Sequence, residues 1–443
     1  MLVFVLGWTT FAFAGLYPST LAVPAIVCVL LAIAYRLWSY GGERIPRLDV
    51  CLAAIVGAIA LQLVPLPGPV IDRISPTDRR VWQQLSLSVP ASLPISIDVK
   101  RTGAALLVTA AAFVLFLAAR RAFATGGVRI AIRGVSMIGM LLAAIALAQD
   151  ATAHGLMYWR WKPIDEGPPP FGPFVNRNHF GTWAIIAVPM CLGYLAAHTS
   201  AHRHRGLEHA ALRRRIATFF DGRALGLTAS AALLLVGIVV SLSRSALAGI
   251  GAAAVCGLLW RRARGEHEGR AVWWIAGGAI AVLALTLAEV RPAVLGVRLS
   301  TAGVSAGNRL LIWKDTIPII RDFWLTGTGA GTYITSMLLY QRSSPGWLYN
   351  QAHNHYLQVL SEGGVLVGAP VFAALVLFAR EAWRTLKDDA SGMFWIRAGA
   401  LCGLVALATQ SLWETGLTMP ANAALAAIAA AVVVHRPAPL TRS

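Results

Sequence analysis

The chain has 443 residues, of which 57% are hydrophobic and only 13% charged, and its mean hydropathy is +0.64. That balance excludes a water-soluble domain of this length and indicates a polytopic membrane protein. The net charge of +18 does not point to nucleic acid, because the basic residues fall in short clusters between apolar runs, the pattern that orients helices in a bilayer.

A helix that crosses the hydrocarbon needs about 20 mostly apolar residues, which predicts an all-α fold of roughly twelve spans in a single transmembrane domain covering residues 1–443. In chain order they lie near 2–17, 19–38, 49–66, 102–119, 128–149, 177–198, 225–241, 244–260, 271–289, 355–379, 394–412 and 418–435. The first is short but lacks the basic flank of a cleaved signal, so it reads as a membrane segment. The pair split at "SLSRSA" is marked by polar residues between two apolar runs. Cys28, Cys51, Cys191, Cys256 and Cys402 sit singly in apolar segments without zinc-like spacing and read as small core residues. No internal repeat is evident, and the prolines of "EGPPPFGPF" favour an extended loop.

The loops alternate in character. One set is short and basic, carrying Arg36, Arg44 and Arg47, then Arg120, Arg121, Arg129 and Arg133, and later "HRHRGLEHAALRRRIATFFDGR", "RRARGEHEGR" and "REAWRTLKDD". The other set is longer, at 67–101, 150–176 and 290–354. The positive-inside rule puts the basic set and both termini in the cytoplasm and the long loops outside.

Polar sites converge on that outer face. "FGPFVNRNHFGTW" brings Asn176, Arg177, Asn178 and His179 to the start of a span, a place suited to capping and interface anchoring. Arg244 in "SLSRSALAG" stands between apolar runs, where an arginine costs roughly 2.5–3.5 kcal/mol on insertion scales, so an anion site fits it better than snorkelling alone. In "SAGNRLLIWKDTIPIIRDFWLTGTGAGTY", Arg309 and Trp313 are one helical turn apart, consistent with an amphipathic helix at the membrane surface inside the 290–354 loop. The glycines Gly327, Gly329 and Gly331 read as a tight turn and not as a phosphate cradle, since no strand precedes them.

In "AHNHYLQVLSEGG", Asn354 is placed to cap the next span, which leaves His353 unexplained by structure. A neutral imidazole is the natural general base near neutral pH, and His353 is the candidate. His355, Gln358 and Glu362 share a helix face, to line the same cavity or to bond one another. Arginines facing one cavity suit a diphosphate, whose oxygens the guanidinium fork grips bidentately.

These motifs, in this order, resemble the O-antigen ligase and O-antigen polymerase superfamily of bacterial envelope glycosyltransferases, by motif over residues 165–370 and by span layout over the whole chain. The resemblance implies a GT-C-like fold of about twelve helices with a large periplasmic loop before the His-bearing helix. It implies an undecaprenyl-diphosphate-linked glycan as donor, transfer at the periplasmic face of the inner membrane, and no cofactor, neither nucleotide sugar nor metal. Residue by residue, it makes His353, Arg244 and Arg309 catalytic, with Asn354, His355, Gln358, Glu362, Arg177, Asn178 and Trp313 around the substrate. One position departs: Gly364 matches the family's small residue, but Val367 holds the next such position and Gly368 follows one residue late. This departure bears on the narrower lipid A-core ligase assignment and not on the wider superfamily.

Three reactions fit equally: ligation of finished glycan to lipid A-core, polymerisation of repeat units in lipopolysaccharide or exopolysaccharide synthesis, and glycosylation of a periplasmic protein. The chain ends at Ser443 just after its last span, which weighs mildly against the third. A transporter or flippase of lipid-linked glycan is the competing class, but polar breaks at matching midplane positions of two halves are expected there, whereas these polar sites gather at one face.

Overall fold

The computed structural model describes residues 1–35, 45–85, 90–163, 169–203, 221–264, 302–343 and 348–436. Among them are fifteen α-helices: α1 (Leu2–Phe11), α2 (Pro18–Ala34), α3 (Pro46–Leu61), α4 (Gly68–Ile74), α5 (Pro76–Leu85), α6 (Val99–Ala124), α7 (Val128–Thr152), α8 (Arg177–Arg203), α9 (Gly222–Val240), α10 (Arg244–Ala263), α11 (Ala302–Asp322), α12 (Tyr333–Tyr340), α13 (His355–Asp388), α14 (Phe394–Gln410) and α15 (Pro420–Val434). One antiparallel pairing, Leu66–Pro67 (β1) with Ser92–Leu93 (β2), is the sheet structure among the described residues.

Six of these helices, α6 to α10 and α13, are long and apolar enough to cross a membrane, and α1, α14, α15 and most of α2 are shorter apolar helices. Helices occupy eleven of the expected segments, while 271–289 lies outside the described residues. The first segment is shorter than expected: α1 stops at Phe11, and a 3-10 turn over Phe13–Gly15 follows, with Phe13 and Ala14 in the left-handed region. The break at "SLSRSA" is real and has a cause, for Leu242 adopts a φ of 55° and the Ser243 hydroxyl caps the amide of Ala246. Arg120, grouped by charge with the loop cations, instead lies buried within α6 and grips Asp49 of α3 with both guanidinium nitrogens at 2.8 and 3.0 Å.

The bundle is organised around α8, whose Phe180, Trp183, Ile185 and Ile186 are fully buried. Between apolar helices in a bilayer, close van der Waals fit does the work that water exclusion does elsewhere. The seam of α8 with α14 shows this. A Cβ on Gly399 would fall 2.3 Å from the Pro189 carbonyl oxygen and 2.8 Å from the Cα of Gly193, and one on Gly403 would fall 2.7 Å from the Ile186 oxygen. Gly399 and Gly403 are one helical turn apart, a small-xxx-small seam that fixes the register of α14 on α8.

A second layer covers one end of the bundle. It comprises α5, α11 and α12, joined through Val81, Ile97, Ile312, Ile319, Phe323, Tyr333 and Met337, and α4 with the β1–β2 pairing, which pack through Ile71, Leu93 and Ile95 against Trp82 of α5. Its anchor is the glycine turn over Gly327–Gly331, which docks into a kink of α13 at Gly364, where φ is 54° and ψ is −153°. Across that kink the Val365 and Leu366 amides donate to the Trp324 and Leu325 carbonyls, while the Thr328 and Gly329 amides donate to those of Ser361 and Glu362. A Cβ on Gly327 would lie 2.2 Å from the Glu362 carbonyl, so the two backbones meet only because glycine stands there. The turn is thus consumed by the protein, in keeping with the tight-turn expectation.

Two outcomes are expected. Gly399→Val forces a methyl into backbone and should lower stability by about 2–3 kcal/mol, read as a lower thermal midpoint of the purified protein in detergent. The second concerns Asp78 of α5, which is fully buried with neither carboxylate oxygen hydrogen-bonded. Burial pushes its carboxyl up to about 8. Between the unfolded value of roughly 4 and that value the folded chain holds a proton that the unfolded chain has lost, so stability should fall as pH rises through this window. Asp78→Asn should flatten that slope in thermal unfolding measured from pH 5 to 9.

Candidate active site

His353 sits in the short segment between the covering layer and α13, and its backbone is held in the left-handed region at a φ of 47°. A bulky residue adopts such a conformation only when its neighbours impose it. Here they do. The indole of Trp313 donates to the Ala352 carbonyl at 3.0 Å, the Ala352 amide donates to Gln358 Oε1 at 3.2 Å, and the Asn354 side chain caps the Leu357 amide at 3.1 Å. On the other side the His355 amide donates to the Ser411 carbonyl at 2.8 Å. The His353 ring projects from this frame with 28% of its side chain exposed.

The ring meets a residue that the sequence reading missed. Glu414, in the turn between α14 and a 3-10 turn at Gly416–Thr418, is fully buried, and its Oε1 lies 3.3 Å from His353 Nδ1. Its Oε2 accepts from Asn178 Nδ2 at 2.7 Å and stands 3.8 Å from a guanidinium nitrogen of Arg309. Burial raises the carboxyl, but the His353 hydrogen bond and the charges of His353, His179 and Arg309 outweigh it and hold it below the usual carboxylate range. A signal for it was present: Glu414 is the one Asp, Glu, Lys or Arg between Arg397 and Arg436.

Of the expected residues, His353, Arg309 and Asn178 therefore meet at one carboxylate. Arg244 comes to the same end of the bundle as the exposed first residue of α10, whose opening turn packs against Gly181 of α8. The rest are engaged in building the frame. Trp313, Asn354 and Gln358 hold the His353 segment as described. Glu362 accepts from the Gly331 and Tyr333 amides at 2.8 and 3.2 Å and from Gln358 Nε2 at 3.1 Å, which ties it to the glycine turn and the start of α12. Arg177 donates to the Pro169 carbonyl at 3.3 Å and lies within electrostatic reach of Asp150. His355 has a buried Nδ1 without a hydrogen-bond partner. The sequence spacing identified the shared face of Gln358 and Glu362, which bond one another, but the other partners of Glu362 come from a segment about thirty residues away.

Chemically, a carboxylate on Nδ1 orients the imidazole and leaves Nε2 to take a proton, while the same carboxylate stabilises the imidazolium that results. Arg309 supplies permanent positive charge beside it. Among the described residues, no group of three or more His, Cys, Asp or Glu side chains is placed to hold a metal ion.

None of the curated proteins compared matches the chain. The family described as O-antigen ligase matches residues 229–372, a stretch that includes Arg244, Arg309 and His353. That matched stretch, together with the apolar spans, supports the resemblance to the O-antigen ligase and O-antigen polymerase superfamily of membrane proteins.

Proposed function

We propose that this protein transfers a glycan from an undecaprenyl-diphosphate carrier to an acceptor hydroxyl at the periplasmic face of the bacterial inner membrane. The acceptor is lipid A-core or a second glycan, and the chain crosses the membrane twelve times with both termini in the cytoplasm. The observation that carries this reading is the His353–Glu414–Arg309 arrangement, in which one buried carboxylate faces a base on one oxygen and a phosphate-binding cation on the other.

In this scheme Nε2 of His353 takes the proton of the acceptor hydroxyl as its oxygen attacks the sugar carbon bonded to the diphosphate. The bond from that carbon to the diphosphate oxygen breaks, and the electron pair leaves with the diphosphate. Arg309 and Arg244 stabilise the charge gathering there, the stage at which preorganised cations contribute most. Glu414 stays ionised and balances the imidazolium. No step calls for a metal ion or a nucleotide sugar. Gathering of the polar groups at one face supports transfer over transport, because a transporter needs its site near the bilayer midplane.

The deciding assay uses the purified protein in lipid vesicles with lipid-diphosphate glycan and either acceptor. His353→Ala should lower the transfer rate by roughly 10²–10⁴-fold while leaving donor binding intact, and normal transfer by that variant would remove His353 from the chemistry. Glu414→Gln should lower kcat by about a hundredfold. Because the Glu414 carboxyl titrates below its usual range, its contribution should persist above about pH 4.3 and fade only as pH falls further. Arg244→Lys and Arg309→Lys keep the charge but lose the fork, so each should raise the donor KM by about tenfold; unchanged kinetics would mark that arginine as an interface anchor.

A further inference from the structure

The segment that completes the site lies outside the matched stretch, at the end of α14. There Gln410, 1% exposed, points its side-chain amide between two helices, with Nε2 at 3.4 Å from both the Asn178 carbonyl of α8 and the Ser245 hydroxyl of α10. The two amide hydrogens suffice for both acceptors. Ser245 follows Arg244 directly, and its hydroxyl lies 3.3 Å from Ser243, the residue that caps α10. Asn178 in turn holds Glu414. Ser411, the residue that closes the end of α14, receives the His355 amide at its carbonyl, and Tyr356 donates to the Ala408 carbonyl at 2.9 Å. One turn of α14 therefore touches the helix starts that carry Asn178, Arg244 and His353.

We propose that Gln410 is a positioning residue that couples Arg244 to the Glu414–His353 pair, setting where the diphosphate is held relative to the base. The proposal rests on the reading of Arg244 and Arg309 as a diphosphate clamp. Without the amide, the first turn of α10 keeps its own cap and its packing on Gly181 but loses the hydrogen-bonded bridge to the Asn178 carbonyl of α8, so Arg244 is held less firmly relative to the base. The glycine seam at Gly399 and Gly403 makes this possible, because it locks the register of α14 against α8 about two to three turns below Gln410.

The test uses Gln410→Met, which keeps the volume and removes the donor, together with Ser245→Ala and the double variant. Donor KM, kcat, thermal midpoint and inhibition by inorganic pyrophosphate are measured in vesicles. Gln410→Met should raise the donor KM and the pyrophosphate inhibition constant about tenfold, the scale of one buried hydrogen bond, with kcat within about twofold. Ser245→Ala should act in the same direction, and the double variant should be no worse than the more impaired single, the signature of a shared contact. Additive effects, or a lowered thermal midpoint with unchanged KM and pyrophosphate inhibition, would overturn the proposal and leave Gln410 as packing. Should Gln410→Met fail to fold, Ser245→Ala and Gln410→Asn, too short to reach both acceptors, carry the same comparison. Direct pyrophosphate binding needs no turnover, so wild-type protein that binds it in a Gln410-dependent way but forms no product would refute the transfer reading alone. Unaltered pyrophosphate binding in the variants of an active protein would refute the coupling alone.

Discussion

A carboxylate with no access to water is the constraint around which this protein is arranged. Burying an ionised group is tolerated only when hydrogen-bond donors and opposite charge surround it, and Glu414 obtains these from three separate segments: Asn178 at the start of α8, Arg309 in α11 and His353 before α13. Each donor arrives on an element whose own placement is fixed elsewhere. The α8–α14 glycine seam sets the depth of Glu414, the Trp313 indole holds the chain beside His353, and α11 is tied to α13 through the glycine turn. Loss of any one support leaves a buried charge short of a partner, so the packing of the bundle and the chemistry at its end are mutually dependent.

Much of the architecture was legible in the sequence because a bilayer permits few solutions. Apolar runs of sufficient length must be helices there, and helices occur in every expected segment within the described residues. The exceptions are informative. α1 is shortened by a left-handed turn at Phe13 and Ala14, and nothing in that apolar stretch distinguishes the residues that leave the helix. Arg120 was grouped with the loop cations by its neighbour Arg121, whereas its carboxylate partner, Asp49, lies 71 positions earlier.

The site divides in the same way. A polar cluster at the mouth of a span was visible, and so was the capping role open to Asn354. What local spacing cannot supply is the identity of the group across the gap. Gln358 and Glu362 share a face by periodicity and bond one another, but Glu362 also meets the amides of Gly331 in the glycine turn and Tyr333 at the start of α12. Glu414 was passed over because it stands alone between two apolar helices, and a lone charge belongs to no motif. Its isolation was itself the clue, since a single carboxylate in an otherwise uncharged segment needs a reason to be there.

The clasp between the glycine turn and the α13 kink is made largely from backbone amides and carbonyls, seconded by Gln62 and Glu362. A joint of that kind constrains the path of the chain while leaving the exposed side chains of α11 and α12, such as Leu310, Ile317 and Leu338, uncommitted. The covering layer can therefore change its outward surface by substitution without disturbing His353 or Glu414. The outward surface of that layer and the His353–Glu414 contact beneath it are separable inheritances, free to diverge at different rates on one scaffold.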